Sequence, residues 1–559
     1  MLPEEILKTD VIVKFELFLT FIASVTALFL SKRCVLLGSS VSRIFDKIAS
    51  KRLLSIILVM LLAFCGSMAV SLIVRFPEPT IHDEFSYLLA ADTFASGRLA
   101  NPTHPMWPHF EILHIIQKPN YASKYPPGQG LMLAFGKVVG GHPIVGVWLS
   151  IAICCASICW MLQGWVPNRW ALLGGILAAL NLGFFGYWSQ KYWGGAVAAT
   201  GGAFVFGSLR RLIRRPEVRI SLILGVGLII LTNSRPFEGL ITSLPVALVL
   251  VIWILKSKSM LFRQNIFRLI LPILGILLLG AIWSMFYNYR VTGDILKLPY
   301  QVYNETYGST PIFIWSKINL PTDFPNQAFR DLYRNIADSH NYMNTLQGFI
   351  HAKVFALSLN LAFFFRGVFL VPLLTLPTVY RSRWNIFAIL VICLVGSIVL
   401  LQTQSSPRKI APVTCLIILI LIQSLRQLRI CSWRGKPIGR CIFRLLLIIF
   451  FVSIVISFST YFHDSTWAPS RQRSELMHKL TNDSARHLII VRYGPNHFPH
   501  FDWVYNSADI DSSKIIWAKE LGFEQNRKLL EYYNDRKIWL LKADQWVLGQ
   551  VKLLPYPSH

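Results

Sequence analysis

Long apolar runs alternate with short basic stretches along most of the chain. The hydrocarbon core of a bilayer takes about 20 helical residues per crossing, and twelve runs approach or reach that length. They lie at about 11–30, 53–75, 143–164, 171–187, 193–209, 220–233, 239–255, 269–287, 354–378, 385–402, 409–425 and 442–461. The pattern therefore predicts an all-α polytopic membrane protein with about 11–12 transmembrane helices.

Two places in this pattern have more than one interpretation. Lys14 and Glu16 interrupt the run at 11–30, so this segment either spans the membrane or lies in its interface. The runs at 220–233 and 239–255 are short, and a polar stretch separates them. Irregular backbone at membrane depth needs a cavity or protein around it, so we expect one or the other at this break.

Basic residues fall in every second connection between the apolar runs. The clusters lie at 32–52, 210–219, 256–268, 381–383 and 426–444. Cytoplasmic loops carry an excess of Lys and Arg, so these connections are predicted to be cytoplasmic. The amphipathic loops 76–142 and 288–353 and the tail from residue 462 then lie outside.

The composition changes at about residue 462, where apolar runs give way to a mixed segment. Residues 487–492 and 537–541 are predicted strands, and residues 526–534 a predicted helix. The chain is therefore divided into a transmembrane domain, 1–461, and a small extracytoplasmic α/β domain, 462–559.

Composition and charge narrow the class of protein further. The 559 residues are 54% hydrophobic and 15% charged, and the formal net charge is +27. In a polytopic protein such a basic excess faces anionic lipid, so the predicted partner is the lipid bilayer and not nucleic acid. None of the nine cysteines lies in a long outer segment, so we expect no disulfide or zinc finger there.

Asp83 and Glu84 follow directly after an apolar run. Two neighbouring carboxylates at a membrane exit are costly unless they have a function. On a helix they would point about 100° apart, so one could face a cavity while the other caps or pairs. The alternative is a simple helix cap, because acidic residues stabilise a helix N-terminus and residues 84–97 are predicted to be helical.

Farther along the same loop, Lys124 stands close to the rigid pair Pro126-Pro127, where its ammonium group could hold a phosphate. The alternative is a lysine that extends to the lipid headgroups. The loop also contains four histidines, whose irregular spacing makes a metal site the less favoured interpretation. They are His82, His104, His109 and His114.

Several short motifs follow one another between about residues 55 and 425. They are Asp83-Glu84, Lys124 with Pro126-Pro127-Gly128, Gly140-Gly141-His142-Pro143, Ser234-Arg235-Pro236, Tyr287-Asn288 and Leu298-Pro299-Tyr300. This constellation resembles the GT-C superfamily of membrane glycosyltransferases. It is most similar to the family-39-like branch, which includes protein O-mannosyltransferases and lipid A aminoarabinose transferases.

The resemblance implies that a sugar is moved from a polyprenyl-phosphate donor to a hydroxyl of a glycan, lipid or protein acceptor. It places this reaction on the outer face of a bacterial cytoplasmic (inner) membrane, with the C-terminal domain in the periplasm. Asp83 matches the acidic residue taken as the general base, and Lys124 lies near the position of the donor-phosphate lysine. Two positions depart from the pattern: Tyr125 separates Lys124 from the proline pair, and Arg408-Lys409 stand where relatives have His-Tyr.

The chemistry of such a transfer agrees with these residue types. A lipid phosphate is already a good leaving group, so an inverting transfer needs one base on the acceptor hydroxyl and cations on the departing phosphate. We expect Asp83 to be the base. The residues expected to position acceptor or phosphate are Glu84, Lys124, Arg235, Arg408 and Lys409. The alternative for Arg235 is a local ion pair with Glu238.

A sugar-binding wall is expected from Tyr287, Asn288, Tyr300, Tyr303 and Tyr307, with an interfacial aromatic belt as the alternative. This chemistry requires no cofactor or metal, although Asp83 and Glu84 could hold Mg²⁺ with a donor phosphate. Two rival functions stay open. A transporter or flippase for lipid-linked sugars would use Asp83 and Arg235 as gating charges, and a non-catalytic assembly protein would bind cell-wall material with its outer tail.

Overall fold

A backbone embedded in lipid has to satisfy its own hydrogen bonds, and the apolar runs of this chain accordingly fold into helices. The computed structural model describes residues 15–27, 39–74, 76–184, 187–256, 262–308, 310–318, 327–462, 469–495, 497, 501–544 and 551–557. Within these ranges, each of the twelve predicted runs coincides with helical structure over most of its length.

Three helices precede the first outer segment, and that segment contains two more helices and a small sheet. The first three are α1 (Phe15–Ala27), α2 (Ser39–Ser50) and α3 (Arg52–Ala69), which continues as a π-helical turn to Val74. The outer elements are α4 (His82–Ala95), β1 (Asn101–Pro102), β2 (Ile115–Ile116), β3 (Asn120–Ser123) and α5 (Pro127–Gly140). Strand β3 pairs antiparallel with both β1 and β2.

The chain then returns to the helical bundle. The next helices are α6 (Pro143–Trp165), α7 (Asn168–Gly183), α8 (Ala196–Arg214), α9 (Val218–Thr232), α10 (Pro236–Lys256) and α11 (Phe262–Thr292). The second outer segment contains α12 (Pro299–Tyr307) and α13 (Gln327–Met343). The bundle continues with α14 (Leu346–Phe365), the short α15 (Leu370–Leu373) and α16 (Leu376–Val379), α17 (Arg383–Leu401), α18 (Pro407–Ile410), α19 (Thr414–Ile430) and α20 (Ile438–Phe462).

Nine helical segments among the described residues are long and apolar enough to cross a membrane. Helices α1 and α9 are shorter apolar helices, and α7 has 16 residues. The chain is thus a multi-pass, largely α-helical membrane protein, as the sequence predicts. Three of the twelve predicted spans are built as shorter helices.

The charge that interrupts the first apolar run has a partner far along the chain. Glu16 is buried, and its Oε1 lies 3.4 Å from Nε of Arg366. Its Oε2 accepts a hydrogen bond of 2.7 Å from the backbone N–H of Gly367. Buried charges persist in apolar surroundings when they are paired and hydrogen-bonded. The described part of the first segment therefore packs into the bundle.

The C-terminal residues form a small α/β unit. Its strands β4 (His487–Arg492), β5 (Ile515–Lys519), β6 (Lys537–Lys542) and β7 (Leu553–Pro555) are ordered β5-β4-β6-β7, and its helices are α21 (Pro469–Thr481) and α22 (Phe523–Tyr532). Strand β4 runs parallel to β5 and β6, and β7 antiparallel to β6. Both predicted strands are confirmed, and the predicted helix begins three residues earlier, at Phe523.

One face of this sheet packs directly on α4. Phe85 and Leu89 of α4 share an apolar cluster with Leu488 and Ile490 of β4, so the sheet covers the helix that carries the two predicted acids. Nearer the end of α4, the carboxylate of Asp92 accepts a hydrogen bond of 2.7 Å from the backbone N–H of Ala508. Because they pack together, α4 and the C-terminal unit have to lie on the same side of the membrane.

We expect the basic connection after α8 and the C-terminal unit to lie on opposite sides of the membrane. A reporter fused after Arg215 should be active in the cytoplasm, and one fused after Pro557 in the opposite compartment. Matched fusions after Asn101 and Asn120 should report the same side as the C-terminal fusion. If the fusions after Arg215 and Pro557 reported one compartment, the predicted topology would be wrong.

Candidate functional site

Helix α4 gives its two neighbouring carboxylates different surroundings. Glu84 is fully buried, and its Oε2 accepts hydrogen bonds from the backbone N–H and the hydroxyl of Thr80, at 2.8 and 3.0 Å. Its Oε1 accepts a third, of 3.0 Å, from the backbone N–H of Tyr192. Glu84 thus ties the chain before α4 to the turn before α8, whereas Asp83 has an entirely different set of partners.

Asp83 lies among groups that donate a hydrogen bond or carry positive charge. The hydroxyl of Tyr125 donates to its Oδ1 at 2.5 Å, and Nη1 of Arg408 lies 3.7 Å from the same oxygen. Nε2 of His114 lies 3.9 Å from Oδ2. Burial by itself raises the pKa of Asp83, but His114, Arg408, Tyr125 and Lys124 together outweigh it and lower the pKa well below its usual range. Asp83 is therefore ionised at neutral pH.

Lys124 presents a buried ammonium group to this carboxylate. Its side chain is only 7% exposed, and among the described residues no carboxylate lies within ion-pair distance of its Nζ. Three rings surround Nζ instead, with centroids at 4.2 Å (Tyr303), 5.1 Å (Tyr300) and 5.4 Å (Tyr125). Burial lowers the pKa of Lys124 to about 7, and the charge of Asp83 offsets only part of this effect. The group is thus available to an anion.

Arg408 reaches Asp83 from the short helix α18. The central carbon of its guanidinium lies 3.2 Å from the ring centroid of Trp193, an arrangement that fixes the plane of the group. Its Nε is buried, with no hydrogen-bond partner in the part of the chain that the structure describes. Arg408 therefore holds a positive charge at the site without complete pairing.

Arg235 lies at the break between α9 and α10, where the sequence predicts a cavity or enclosing protein. This break brings Arg235 toward the carboxylate of Asp83. The backbone N–H of Gly128 donates a hydrogen bond of 2.8 Å to the carbonyl of Asn233. A Cβ at Gly128 would lie only 2.6 Å from that oxygen, so only glycine permits this approach. The turn after Lys124 is thereby held against the break, and Arg235 interacts electrostatically with Asp83.

Lys409 and Glu238 extend the cluster away from Asp83. Lys409 interacts electrostatically with Glu238, Arg235, Arg408 and Lys353. Within the described structure, Glu238 makes no direct ion pair with Arg235, and its Oε1 accepts a hydrogen bond of 3.3 Å from Gln402 instead. Arg235 nevertheless interacts electrostatically with Glu238, and more strongly than with Asp83, so the alternative of a local ion pair stays open.

The residues of the predicted sugar-binding wall fall in two places. Tyr300 and Tyr303 lie at the site, since their ring centroids are 5.1 and 4.2 Å from Nζ of Lys124. Tyr287 is 3% exposed and packs edge-on against Phe94, with 6.2 Å between ring centroids. Asn288 is also buried, and its Nδ2 donates to the carbonyl of Ile295 at 3.3 Å. Sugar contact by Tyr287 and Asn288 stays a prediction.

Two residues of the site were not expected to act there. Tyr125 is the residue that departs from the family pattern, and that insertion before the proline pair is the sequence signal for its role. His114 has backbone in the left-handed region, with φ of 68°. Its N–H donates to the hydroxyl of Tyr303 at 3.1 Å, and its carbonyl accepts from Ser86 at 2.6 Å. These bonds hold the imidazole beside Asp83.

His82 packs edge-on against His114, with 6.2 Å between ring centroids, whereas two other histidines of the outer loop are directed elsewhere. Nε2 of His104 lies 3.0 Å from Asp511, and Nδ1 of His109 lies 2.8 Å from the carbonyl of Lys519, so both contact the C-terminal unit. Within the described ranges, no group of three or more His, Cys, Asp or Glu side chains is placed to hold a metal ion.

Comparisons with known proteins give likeness at the level of structure. No family model matches the sequence, and no curated protein matches it. Among solved structures, the chain is similar to ArnT from Cupriavidus metallidurans in the apo state, with 12% identity and a TM-score of 0.49 over 89% of this chain and 93% of that one. The same protein bound to undecaprenyl phosphate gives 11% identity and a TM-score of 0.47.

The chain is also similar to the oligosaccharyltransferase of Archaeoglobus fulgidus in its apo form, with 8% identity and a TM-score of 0.46. The match covers 78% of this chain but only 62% of the oligosaccharyltransferase, so the chain spans less than two thirds of that protein. At these identities and TM-scores the likeness is one of fold alone, and it assigns a role to no residue of the site.

Glu84→Gln should destabilise the protein. The two carboxylate oxygens of Glu84 accept three hydrogen bonds, and a glutamine side chain has only one acceptor oxygen. Leaving buried backbone donors unpaired costs about 1–3 kcal/mol. Thermal unfolding of the purified protein in detergent should show a clearly lower midpoint than wild type. Glu217→Gln, at an exposed position, is the matched control and should leave the midpoint unchanged. Equal midpoints for all three proteins would contradict a structural role for Glu84.

Proposed function

We propose that this protein is a membrane glycosyltransferase that moves a sugar from a polyprenyl-phosphate donor to an acceptor hydroxyl, with inversion. The observation that supports this most is the ionised carboxylate of Asp83, bonded to Tyr125 and close to Arg408, beside the ammonium group of Lys124. A base on the acceptor and cations on the departing phosphate are the two components that this reaction needs.

In the proposed reaction, Asp83 takes the proton of the acceptor hydroxyl. The oxygen of that hydroxyl attacks the anomeric carbon of the sugar at the same time. The bond from that carbon to the phosphate oxygen breaks, and the electron pair leaves with the lipid phosphate. Lys124 and Arg408 stabilise the charge that grows on the phosphate, while Arg235 and Lys409 add to the positive potential. A second acid is dispensable because phosphate is a good leaving group, and this scheme requires no metal.

Donor binding would also prepare the base. In the free protein, Asp83 is a weak base because its neighbours lower its pKa. A phosphate bound between Lys124 and Arg408 offsets their positive charge, so the pKa of Asp83 rises and the carboxylate accepts a proton more readily. We therefore propose that the donor binds before the acceptor.

The remaining predicted residues have supporting roles in this proposal. Glu84 fixes the start of α4, and so the position of Asp83, through its bonds to Thr80 and Tyr192. The ring of Tyr300 borders the space beside Lys124 and provides a face for the sugar, while Tyr287 and Asn288 support that region from behind.

We place the reaction on the outer face of a bacterial inner membrane, with the C-terminal unit in the periplasm. The packing of that unit on α4 supports a common side for the unit and Asp83. The ArnT neighbour has been solved with undecaprenyl phosphate, and the oligosaccharyltransferase with dolichol-phosphate and an inhibitory peptide. For this chain we propose a donor of the same chemical class and a glycan, lipid or protein acceptor.

Asp83→Asn should lower turnover by ~10² or more if the carboxylate is the general base. The amide keeps the size of the side chain and can still accept the hydrogen bond from Tyr125, so the protein should fold. Turnover is measured with a panel of undecaprenyl-phosphate sugars, and undecaprenyl phosphate binding should persist. Glu84→Gln is the comparison: it leaves the carboxylate of Asp83 in place, so its turnover per folded molecule should fall far less than that of Asp83→Asn. Near-normal turnover by Asp83→Asn would discard the mechanism.

Donor binding should weaken as the pH rises above about 7, because Lys124 has a pKa of about 7 and must be protonated to hold a phosphate. If one proton is taken up on binding, affinity falls by up to about tenfold per pH unit above that pKa. Undecaprenyl phosphate binding is titrated from pH 6 to 9. In Lys124→Arg the guanidinium stays charged, so the profile should flatten, and an identical slope in both proteins would contradict the role of Lys124.

A further inference from the structure

An open cavity of about 230 Å³ lies beside the cationic cluster, between α13 and two outer turns. One face of α13 forms its apolar side through Leu332, Ile336 and Met343. Hydrogen-bonding side chains complete the lining, and all are uncharged amides, hydroxyls or an imidazole. They are Thr310, Asn335, Ser339, His340, Thr403 and Gln404. The two turns are joined, since Thr403 donates from its hydroxyl to the carbonyl of Pro311 at 2.6 Å.

His340 supplies an unused hydrogen-bonding atom to this cavity. The residue is 4% exposed, and its Nδ1 has no hydrogen-bond partner among the described residues. Buried polar atoms are nearly always satisfied, so an unsatisfied ring nitrogen on a residue that lines the cavity indicates a ligand with a hydrogen-bonding group.

Tyr300 connects the cavity to Asp83. Its hydroxyl bonds to the side chain of Thr310, which lines the cavity, and its ring lies 5.1 Å from Nζ of Lys124. Beside Thr403, which also lines the cavity, the backbone carbonyl of Gln402 accepts a hydrogen bond of 2.7 Å from Nζ of Lys353. The cavity is therefore connected to the cationic cluster through the side chains of Thr310 and Tyr300.

We propose that this cavity binds a neutral saccharide unit of the acceptor, so that the acceptor is a glycan or a glycolipid headgroup. A sugar ring presents apolar C–H faces and a rim of hydroxyls, and each hydroxyl can donate and accept. The apolar face of α13 and the uncharged polar rim match these two surfaces. The inference rests on the proposed function, because it assigns the acceptor side of that same site.

The lining distinguishes this cavity from the donor-phosphate position. None of the residues named as its lining is Lys, Arg, Asp or Glu, so a phosphate gains no charged partner inside it. A lipid acyl chain would leave the polar rim and Nδ1 of His340 without partners, at a cost for each group. A saccharide satisfies them.

The test measures binding of neutral disaccharides to the full-length protein in lipid nanodiscs by saturation-transfer difference NMR. Maltose, cellobiose and chitobiose are the probes, and an uncharged Ser/Thr hexapeptide is the comparison. At least one disaccharide should give transfer at wild type. Asn335→Leu and His340→Phe should weaken it by about tenfold, the effect of one lost hydrogen bond. Asn341→Leu, exposed on the same helix, is the matched control and should bind as wild type does.

No disaccharide signal, an equal signal in all variants, or a signal from the peptide alone would each overturn the inference. Asn335 is exposed, so Asn335→Leu should fold and therefore tests the inference even if His340→Phe does not fold. Binding of undecaprenyl phosphate separates this test from that of the proposed function. Asn335→Leu should retain that binding, and Arg408→Gln should lose it while retaining the disaccharide signal. If wild type bound disaccharide but no undecaprenyl phosphate, the proposed function would fail and the saccharide site would stand.

Discussion

The negative charge of Asp83, held away from bulk water, is the constraint on which the rest of the site depends. A carboxylate in such a place stays ionised only if the protein supplies hydrogen bonds and opposite charge. Here the compensation comes from two distant parts of the chain, Tyr125 and His114 in the outer loop and Arg408 in α18. The outer loop and the far end of the bundle therefore have to meet at α4, and the fold is arranged so that they do.

Each of these parts is held in place by contacts that have no proposed role in the reaction. The C-terminal sheet packs on α4 through Phe85 and Leu89, and Asp92 bonds to the backbone of Ala508. Glu84 fastens the first turn of the same helix to the backbone of Tyr192. A helix fixed at its start, its face and its end presents Asp83 in one position, which a general base requires. The C-terminal unit thus contributes to the site without reaching it.

The helical fold and several candidate residues of the site can be predicted from the sequence, but the details that depend on packing cannot. Apolar runs identify helices because the bilayer imposes length and composition, and the motifs around Asp83 and Lys124 brought out the acid and the cation. The partner of Glu16 is Arg366, some 350 residues away, and no local pattern indicates that pair. Tyr287 and Tyr300 look alike in sequence, yet only the second borders the cations, because tertiary packing decides which ring is covered.

The balance of charge around Asp83 carries one further consequence. Four cationic side chains interact with only two carboxylates, Asp83 and Glu238, in this part of the described structure; they are Lys124, Arg235, Arg408 and Lys409. Among the described residues, Nζ of Lys124 has aromatic rings around it and no carboxylate at ion-pair distance, and Nε of Arg408 is unsatisfied. Positive charge held out of water without pairing is unfavourable in the free protein. An anion that enters this space is therefore attracted without having to break a closed ion pair. Its charge also offsets the positive charge that lowers the pKa of Asp83 and makes it a weak base. The same excess of cations would then select the phosphate-bearing substrate and control when the base becomes reactive.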